Sequence, residues 1–295
     1  MSADSPDNLR HVTVVGVGLL GGSAGLALKA HDPTIRVAGV GRRMESLRKG
    51  LEMGAIDTAH LDLTEPAATT DLVILATPVG AFERHMRAAA ALRVGAIVTD
   101  VGSTKAGVVR IAGRILGHGR FVGSHPMAGS EQRGPAFARA DLFAGATCIL
   151  TPTRQTPPEV TARVERLWRW MGMRTVRMAP GAHDRAVARI SHLPHALASL
   201  LMRLPGRRDL DVAASGFRDA TRLASGDTEM WRDIFLTNRR HILAAFDDFE
   251  EELLALRDLV DLGDGPGLQR FFAAAKKRRD STVARAIVDR RVAVE

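Results

Sequence analysis

His125 is the residue whose type and setting most suggest chemistry. An apolar run, Phe121-Val122, leads into Gly123-Ser124-His125-Pro126-Met127-Ala128-Gly129-Ser130-Glu131, so a histidine is delivered from a strand into a proline- and glycine-rich turn. Imidazole gains and loses a proton near neutral pH, which suits general acid–base work, and loop residues on a rigid scaffold commonly carry function. One strand earlier, Asp100-Val101-Gly102-Ser103-Thr104-Lys105 forms a second turn. The Ser103 hydroxyl can donate or accept a hydrogen bond beside the histidine. Ser103 and Thr104 also precede a helical run, so Ser103 is at the same time a candidate N-cap.

A third stretch would bring the reaction partner. Val12 to Val15 is a β-branched run followed at once by Gly16-Val17-Gly18-Leu19-Leu20-Gly21 and an alanine- and leucine-rich helix to about Ala30. Strand, glycine turn and helix in that order are the dinucleotide fingerprint. Gly16 permits the tight turn, Gly18 lets the backbone approach a pyrophosphate, Gly21 lets the helix pack closely, and the first amides of the helix, from Leu19 and Leu20 on, face the phosphates. With a nicotinamide cofactor, the chain must manage a hydroxyl proton as hydride leaves. The sequence contains no tyrosine, which removes the short-chain dehydrogenase scheme and leaves His125 as the leading candidate, with Ser103 beside it. About twenty residues past the third glycine, where an acid would bind the ribose 2′-hydroxyl of NAD, stand Gly41-Arg42-Arg43. Two guanidiniums suit a 2′-phosphate, so the expected cofactor is NADP, with NAD possible.

The elements needed to position these groups follow in a regular rhythm. Strands are expected at 35–40, 71–76, 96–100 and 121–124, with helices at 81–92 and 106–116 between them, and added strands at 145–151 and 174–178 around a helix at 158–171. Strands alternating with helices predict a parallel α/β sheet of Rossmann type, with ligands at the carboxyl ends of the strands. Thr77-Pro78, Ser103 and His125 all fall at such ends. After Ala179-Pro180-Gly181 the periodicity is helical to the end. The expected organisation is therefore a dinucleotide-binding domain over 1–178 and an all-helical substrate and dimerisation domain over 179–295. Thr228 to Leu262 is its most regular segment: Phe235, Ile242, Phe249 and Leu256 recur every seven residues, with Phe246, Leu253 and Val260 on the next row. So long an apolar stripe on one helix predicts a partner, either another helix of the same chain or a second copy, and a homodimer through this domain is the expected assembly.

Composition narrows the function classes. The 295 residues, 45% hydrophobic, suffice for two domains each with a core. The net charge is +8, but the arginines are scattered and aromatic interleaving is missing, so no nucleic-acid partner is expected. No run is long and apolar enough for a membrane span, and Met1 to Arg10 lacks the apolar core of a signal peptide, which places the expected location in the cytoplasm. Cys148 is the single cysteine and reads as a buried bystander.

Four motifs in register then carry a resemblance. The Gly123–Glu131 stretch, Asp100–Lys105, Ile190-Ser191-His192-Leu193-Pro194-His195, and Gly216-Phe217-Arg218-Asp219-Ala220-Thr221-Arg222 with Trp231-Arg232-Asp233-Ile234 resemble the prephenate/arogenate dehydrogenases of tyrosine biosynthesis, from about Val12 to Phe246. The resemblance implies an NAD(P)-dependent oxidative decarboxylation of prephenate or arogenate with no metal, driven by aromatisation. It implies that His125 takes the C4 hydroxyl proton, that Ser103 touches both that hydroxyl and the nicotinamide, and that Arg222 binds a substrate carboxylate. His183 and His195 match histidines at the substrate pocket, Glu131 and Asp219 acids at its mouth, and Trp231 a pocket-lining or dimer-core residue. Ideal helical spacing would leave His183 and His195 about 120° apart, so either Pro194 kinks the helix or the two act from different directions. No regulatory ACT domain or fused chorismate mutase is expected. The rival readings are a β-hydroxyacid dehydrogenase, which would use a lysine where this chain has only Lys105 between Lys49 and Lys276, and a non-catalytic NAD(P)-binding module.

Overall fold

The structure, a computed structural model, describes residues 9–66, 68–91, 96–129 and 132–292. Its centre is an eight-stranded sheet of order β3-β2-β1-β4-β5-β6-β7-β8. The strands are β1 (His11–Val15), β2 (Arg36–Val40), β3 (Thr58–His60), β4 (Leu72–Leu75), β5 (Ile97–Asp100), β6 (Phe121–Pro126), β7 (Thr147–Thr151) and β8 (Arg174–Arg177). Between them run α1 (Leu19–His31), α2 (Met44–Glu52), α3 (Phe82–Ala89), α4 (Ala106–Ile115) and α5 (Pro158–Trp170). From β3 to β6 all neighbours are parallel, β7 runs antiparallel to β6, and β8 is parallel to β7. The order reverses beside β1, the switch point where open α/β sheets hold their ligands.

Strands buried on both faces explain the near-continuous apolar runs. Val12 and Val14 of β1 join Ala24 and Leu28 of α1 and Val164, Leu167 and Trp168 of α5 in one core. Val15, Val73 and Leu75 face the other way, against Phe82 and Met86 of α3 and Val108 and Ala112 of α4. Cys148 is buried in the first core, and burial pushes its thiol far up, out of reach of thiolate chemistry.

Two features differ from expectation. His125 lies inside β6, not in the turn after it, because antiparallel β7 extends the pairing: His125 stands opposite Ile149 and Pro126 opposite Cys148. Strand β3 is short and weakly patterned, and was not anticipated. Buried hydroxyls then order the stretch just before His125. Trp168 Nε1 donates to Ser124 Oγ at 3.0 Å, Ser124 pairs with Thr99 Oγ1 at 2.7 Å, and Thr99 Oγ1 donates to the Val122 carbonyl at 2.8 Å. The chain of donors and acceptors closes only if Ser124 donates to Thr99.

The helical part comprises α6 (Pro180–Val187), α7 (Leu193–Arg203), α8 (Arg207–Leu210), α9 (Ser215–Thr221), α10 (Thr228–Thr237), α11 (Arg239–Asp261) and α12 (Gly265–Val292). Strands give way to helices after β8, near the expected 178/179 division. Compact units, however, run Met1–Arg239 and Arg240–Glu295, so α6 to α10 belong with the sheet. The regular segment from Thr228 to Leu262 is two helices rather than one. It breaks at Asn238, where φ is −110° and ψ 20° and the side-chain amide bonds to the Asp184 carbonyl and His192 Nδ1. No helix among the described residues is long and apolar enough to cross a membrane.

Ser124→Ala should leave the buried Trp168 N–H without an acceptor and lower the unfolding free energy by about 1–3 kcal/mol. Urea denaturation measures this, and an unchanged midpoint would remove the hydroxyl chain from the account of how β6 is ordered.

Candidate active site

The glycine turn lies between β1 and α1. Gly16 adopts φ +100°, and a Cβ there would stand 2.7 Å from the Ala76 backbone, so the turn requires glycine. A Cβ at Gly18 would meet nothing within 4 Å, which leaves open space over the backbone at the start of α1. Gly18 is the N-cap, with Leu19, Leu20 and Gly21 forming the first turn. Thr77 follows β4 beside Gly16, and its hydroxyl is buried with no partner among the described residues; Pro78 comes next. An open cradle at a helix N-terminus beside an orphaned hydroxyl fits a dinucleotide. Arg42 and Arg43 are both exposed at the end of β2.

Two buried carboxylates, one at the end of β5 and one on α6, organise the residues around His125. Asp100, at the end of β5, accepts the Ser124 N–H through Oδ1 at 3.0 Å, and the Gly102 N–H through Oδ2 at 2.9 Å. It is also ion-paired with Lys105, and both side chains are wholly buried. Asp184, on α6, accepts the Lys105 and Ala106 N–H groups at 2.7 and 2.8 Å. It therefore caps α4 from far along the chain, a role the sequence offered to Ser103.

Asp184 also faces His183, and His183 faces His125. The Asp184 Oδ1 to His183 Nδ1 distance is 2.8 Å, and His183 Nε2 to His125 Nδ1 is 2.8 Å. A carboxylate can only accept, so His183 carries its proton on Nδ1 and accepts at Nε2. His125 must then donate from Nδ1, which leaves the Nε2 lone pair to take a proton. Burial, reinforced by unfavourable electrostatics with the neighbouring His183, Lys105 and His192, keeps His125 well below the ordinary histidine range. Burial also lowers His183, although the Asp184 carboxylate opposes the shift. Burial opposes ionisation of Asp184, but hydrogen bonds from His183, Ala106 and Lys105 outweigh it and hold the carboxyl below its usual value.

A second cluster adjoins the first. A π-helical turn, Ala188–His192, joins α6 to α7. It changes the helical phase between His183 and His195, so of the two expected alternatives a kink at Pro194 is not the one adopted: Pro194 sits in the first turn of α7, where proline is well accommodated. Asn238 Nδ2 donates to the Asp184 carbonyl at 2.8 Å and to His192 Nδ1 at 3.1 Å. His192 Nε2 therefore bears the hydrogen, and it is buried without a partner among the described residues. His195 stacks on Trp231 with centroids 3.6 Å apart and planes 10° off parallel. Its ring donates to the Leu223 carbonyl, and Nδ1 is a further buried atom with no described partner. Arg222 opens the short 3₁₀ turn that packs against α7.

Comparison with known proteins gives the family. A family model described as prephenate dehydrogenase, nucleotide-binding domain, matches residues 24–177, and one described as prephenate dehydrogenase, dimerization domain, matches residues 179–274. The chain belongs to the prephenate dehydrogenase family. It is 36% identical to prephenate dehydrogenase of Bacillus subtilis, over 91% of this chain and 75% of that one. The crystal structure of Aquifex aeolicus prephenate dehydrogenase in complex with hydroxyphenyl propionate and NAD+ superposes with a TM-score of 0.88 at 32% identity, covering 94% of this chain and all of the other. Synechocystis arogenate dehydrogenase gives a TM-score of 0.78 at 30% identity, over 92% and 99% of the two chains. This family member is thus an oxidoreductase with a nucleotide-binding domain.

In this member of the family, the predicted His125 and His183 meet directly, and His195 and Trp231 pair beside them. Ser103 lies in the turn held by Asp100. Asp219 is exposed on α9, one element before Arg222. Glu131 lies outside the described residues. Sequence reasoning missed Asp184, His192, Asn238 and the part played by Asp100; the only available signals were that Asp184 follows His183 and that His192 shares a motif with His195.

Burial also holds His192 at about 4 and lowers His195. His125, His183, His192 and His195 thus stay neutral when folded at pH values where the unfolded chain protonates them. Stability is complete above their ordinary value of 6.5 and falls as pH drops below it. Each such histidine contributes a slope of up to about 1.4 kcal/mol per pH unit. Urea midpoints should fall between pH 7.5 and 5.5, less steeply in His192→Gln; a flat profile would contradict the neutral cluster.

Proposed function

We propose that the protein oxidises prephenate or arogenate, a cyclohexadienol bearing a ring carboxylate, with loss of CO2 to give 4-hydroxyphenylpyruvate or tyrosine. The observation that carries this reading is the Asp184–His183–His125 chain, which leaves a neutral imidazole with its Nε2 lone pair available. When bound at the glycine turn, a nicotinamide dinucleotide supplies the acceptor for the hydride lost from C4. As C4 gains carbonyl character, its hydroxyl proton passes to His125 Nε2. Positive charge arising on His125 is shared through Nδ1–H with His183 and balanced by the Asp184 carboxylate. Loss of CO2 sends its bonding electrons into the ring toward the C4 oxygen, which recovers the proton as a phenol. Ser103 hydrogen-bonds the same hydroxyl. Arg222 provides a planar fork for a substrate carboxylate, His195 and Trp231 line the pocket, and Asp219 supplies an acid at its mouth.

Two further assignments belong to this reading. Exposed Arg42 and Arg43, with no carboxylate at Gly41, support NADP as the preferred cofactor and NAD as a weaker alternative. The dimerization-domain match and the exposed Leu243, Leu253, Leu254 and Val260 along α11 support a homodimer through the helical part.

One absorbance assay crossing prephenate and arogenate with NADP and NAD tests substrate and cofactor together. NADP should give the higher kcat/KM, and Arg42→Ala with Arg43→Ala should erase the difference; a wild-type preference for NAD would sink the NADP assignment. His125→Asn should lower kcat by about 10²–10⁴-fold with cofactor affinity retained. Turnover close to wild type would remove His125 from the mechanism. Because His125 is held low, wild-type activity should persist through neutral pH and be lost only on the acid side of the ordinary histidine range.

A further inference from the structure

We infer that Lys105 is a positioning residue: its buried ammonium, paired with Asp100 between the Ser103 turn and the His125 strand, fixes those two side chains relative to each other and places a permanent positive charge beside the His125 imidazole. This rests on the reading of Ser103 and His125 as the reacting pair.

The backbone itself does not lock that geometry. Strands β5 and β6 pair only at Val98–Phe121 and Thr99–Val122, so the ladder ends before the residues that matter. Beyond it, the Asp100 carboxylate takes over, binding the Ser124 N–H on one side and the Gly102 N–H on the other. Lys105 closes this bridge from the start of α4. Its stem lies against β6 so closely that a Cβ at Gly123 would stand 3.3 Å from Lys105 Cδ. Further clamps hold the same turn: Thr104 Oγ1 pairs with Thr237 Oγ1 at 3.0 Å, and Asp184 takes the Lys105 amide.

Two other roles for this lysine fail. Its side chain is 0% exposed and ion-paired, so it cannot serve as the acid–base group of a β-hydroxyacid dehydrogenase. Nor does stability alone call for it, because a buried ion pair is often no better than well-packed apolar groups of similar volume. What apolar groups cannot supply is the charge. The groups around His125 are His183 and Asp184 from α6, His192 from the π turn, and Asp100 with Lys105 from the β5–α4 turn. Lys105 is the permanent cation among them, and its charge disfavours protonation of both His125 and His183, at the latter more strongly than Asp100 favours it.

The decisive experiment compares kcat, KM and the pH dependence of kcat/KM for wild type and Lys105→Met, using whichever of prephenate or arogenate the wild type oxidises. The acid limb should move toward higher pH by about half a unit or more, and kcat should fall about tenfold with KM changed less than about twofold. If Lys105→Met does not fold, Asp100→Asn/Lys105→Met removes both charges and carries the same expectation. An unmoved acid limb in the folded variant overturns the proposal. So does failure of both variants to fold, which would make the pair a folding element only. His125→Asn in parallel separates the two levels: if it keeps wild-type turnover and acid limb, the reading of His125 has failed, whatever Lys105 does.

Discussion

Two buried carboxylates hold this site together. Asp100 closes β5 and Asp184 comes from α6, and both spend their acceptor oxygens on the short segment between Gly102 and Ala106 and on the groups facing it. An ionised carboxylate away from water is tolerated only when it is fully hydrogen-bonded or paired. Asp100 meets that condition with two backbone amides and an ammonium, Asp184 with two amides and an imidazole. The demand for satisfaction is what joins parallel sheet, α4 and α6 into one object. Without it, the Ser103 turn would be an ordinary strand-to-helix connection.

The histidines follow the same electrostatic logic in reverse. They crowd into a buried space where any one, if charged, would disfavour charge on the next, so neutrality is the shared solution. Hydrogen-bond direction then does what charge cannot. Asp184 dictates the tautomer of His183, His183 that of His125, and Asn238 that of His192. Perturbed, mutually dependent titrations of this kind are a mark of functional sites. Here they arise from packing that can be traced residue by residue.

Much of the scaffold was legible in the sequence, because it is written in local patterns. The strand, glycine turn and helix around Gly16, the alternation up to β8 and the helical character thereafter depend on spacing and on turn residues. His125 and Ser103 stood out because glycine and proline punctuate their surroundings. What local pattern could not show is anything decided by a partner distant in sequence. The strand around His125 continues because β7 folds back against it. Asp184 acts on residues 78 and 79 positions away. The break at Asn238 is hidden by a heptad pattern that runs straight through it, and the residue there bonds through its side-chain amide to α6 and the π turn, far off in sequence. Asp100 and Lys105 were visible as a motif but mute as to role, because a charge in a turn is ordinary until burial makes it costly.

The remote capping of α4 also bears on how the chain is made. When β6 has left the ribosome, every strand of the parallel sheet is present, and α4 can lie on it. Yet the first amides of that helix still lack their acceptor, and His125 lacks the neighbour that fixes its ring. Both arrive with α6, after the antiparallel strand, α5 and β8 have been added. The sheet can thus assemble while the polypeptide is being synthesised, but the histidine cluster is completed late, and a nascent chain arrested before α6 carries the glycine turn without the bonded His125–His183 pair.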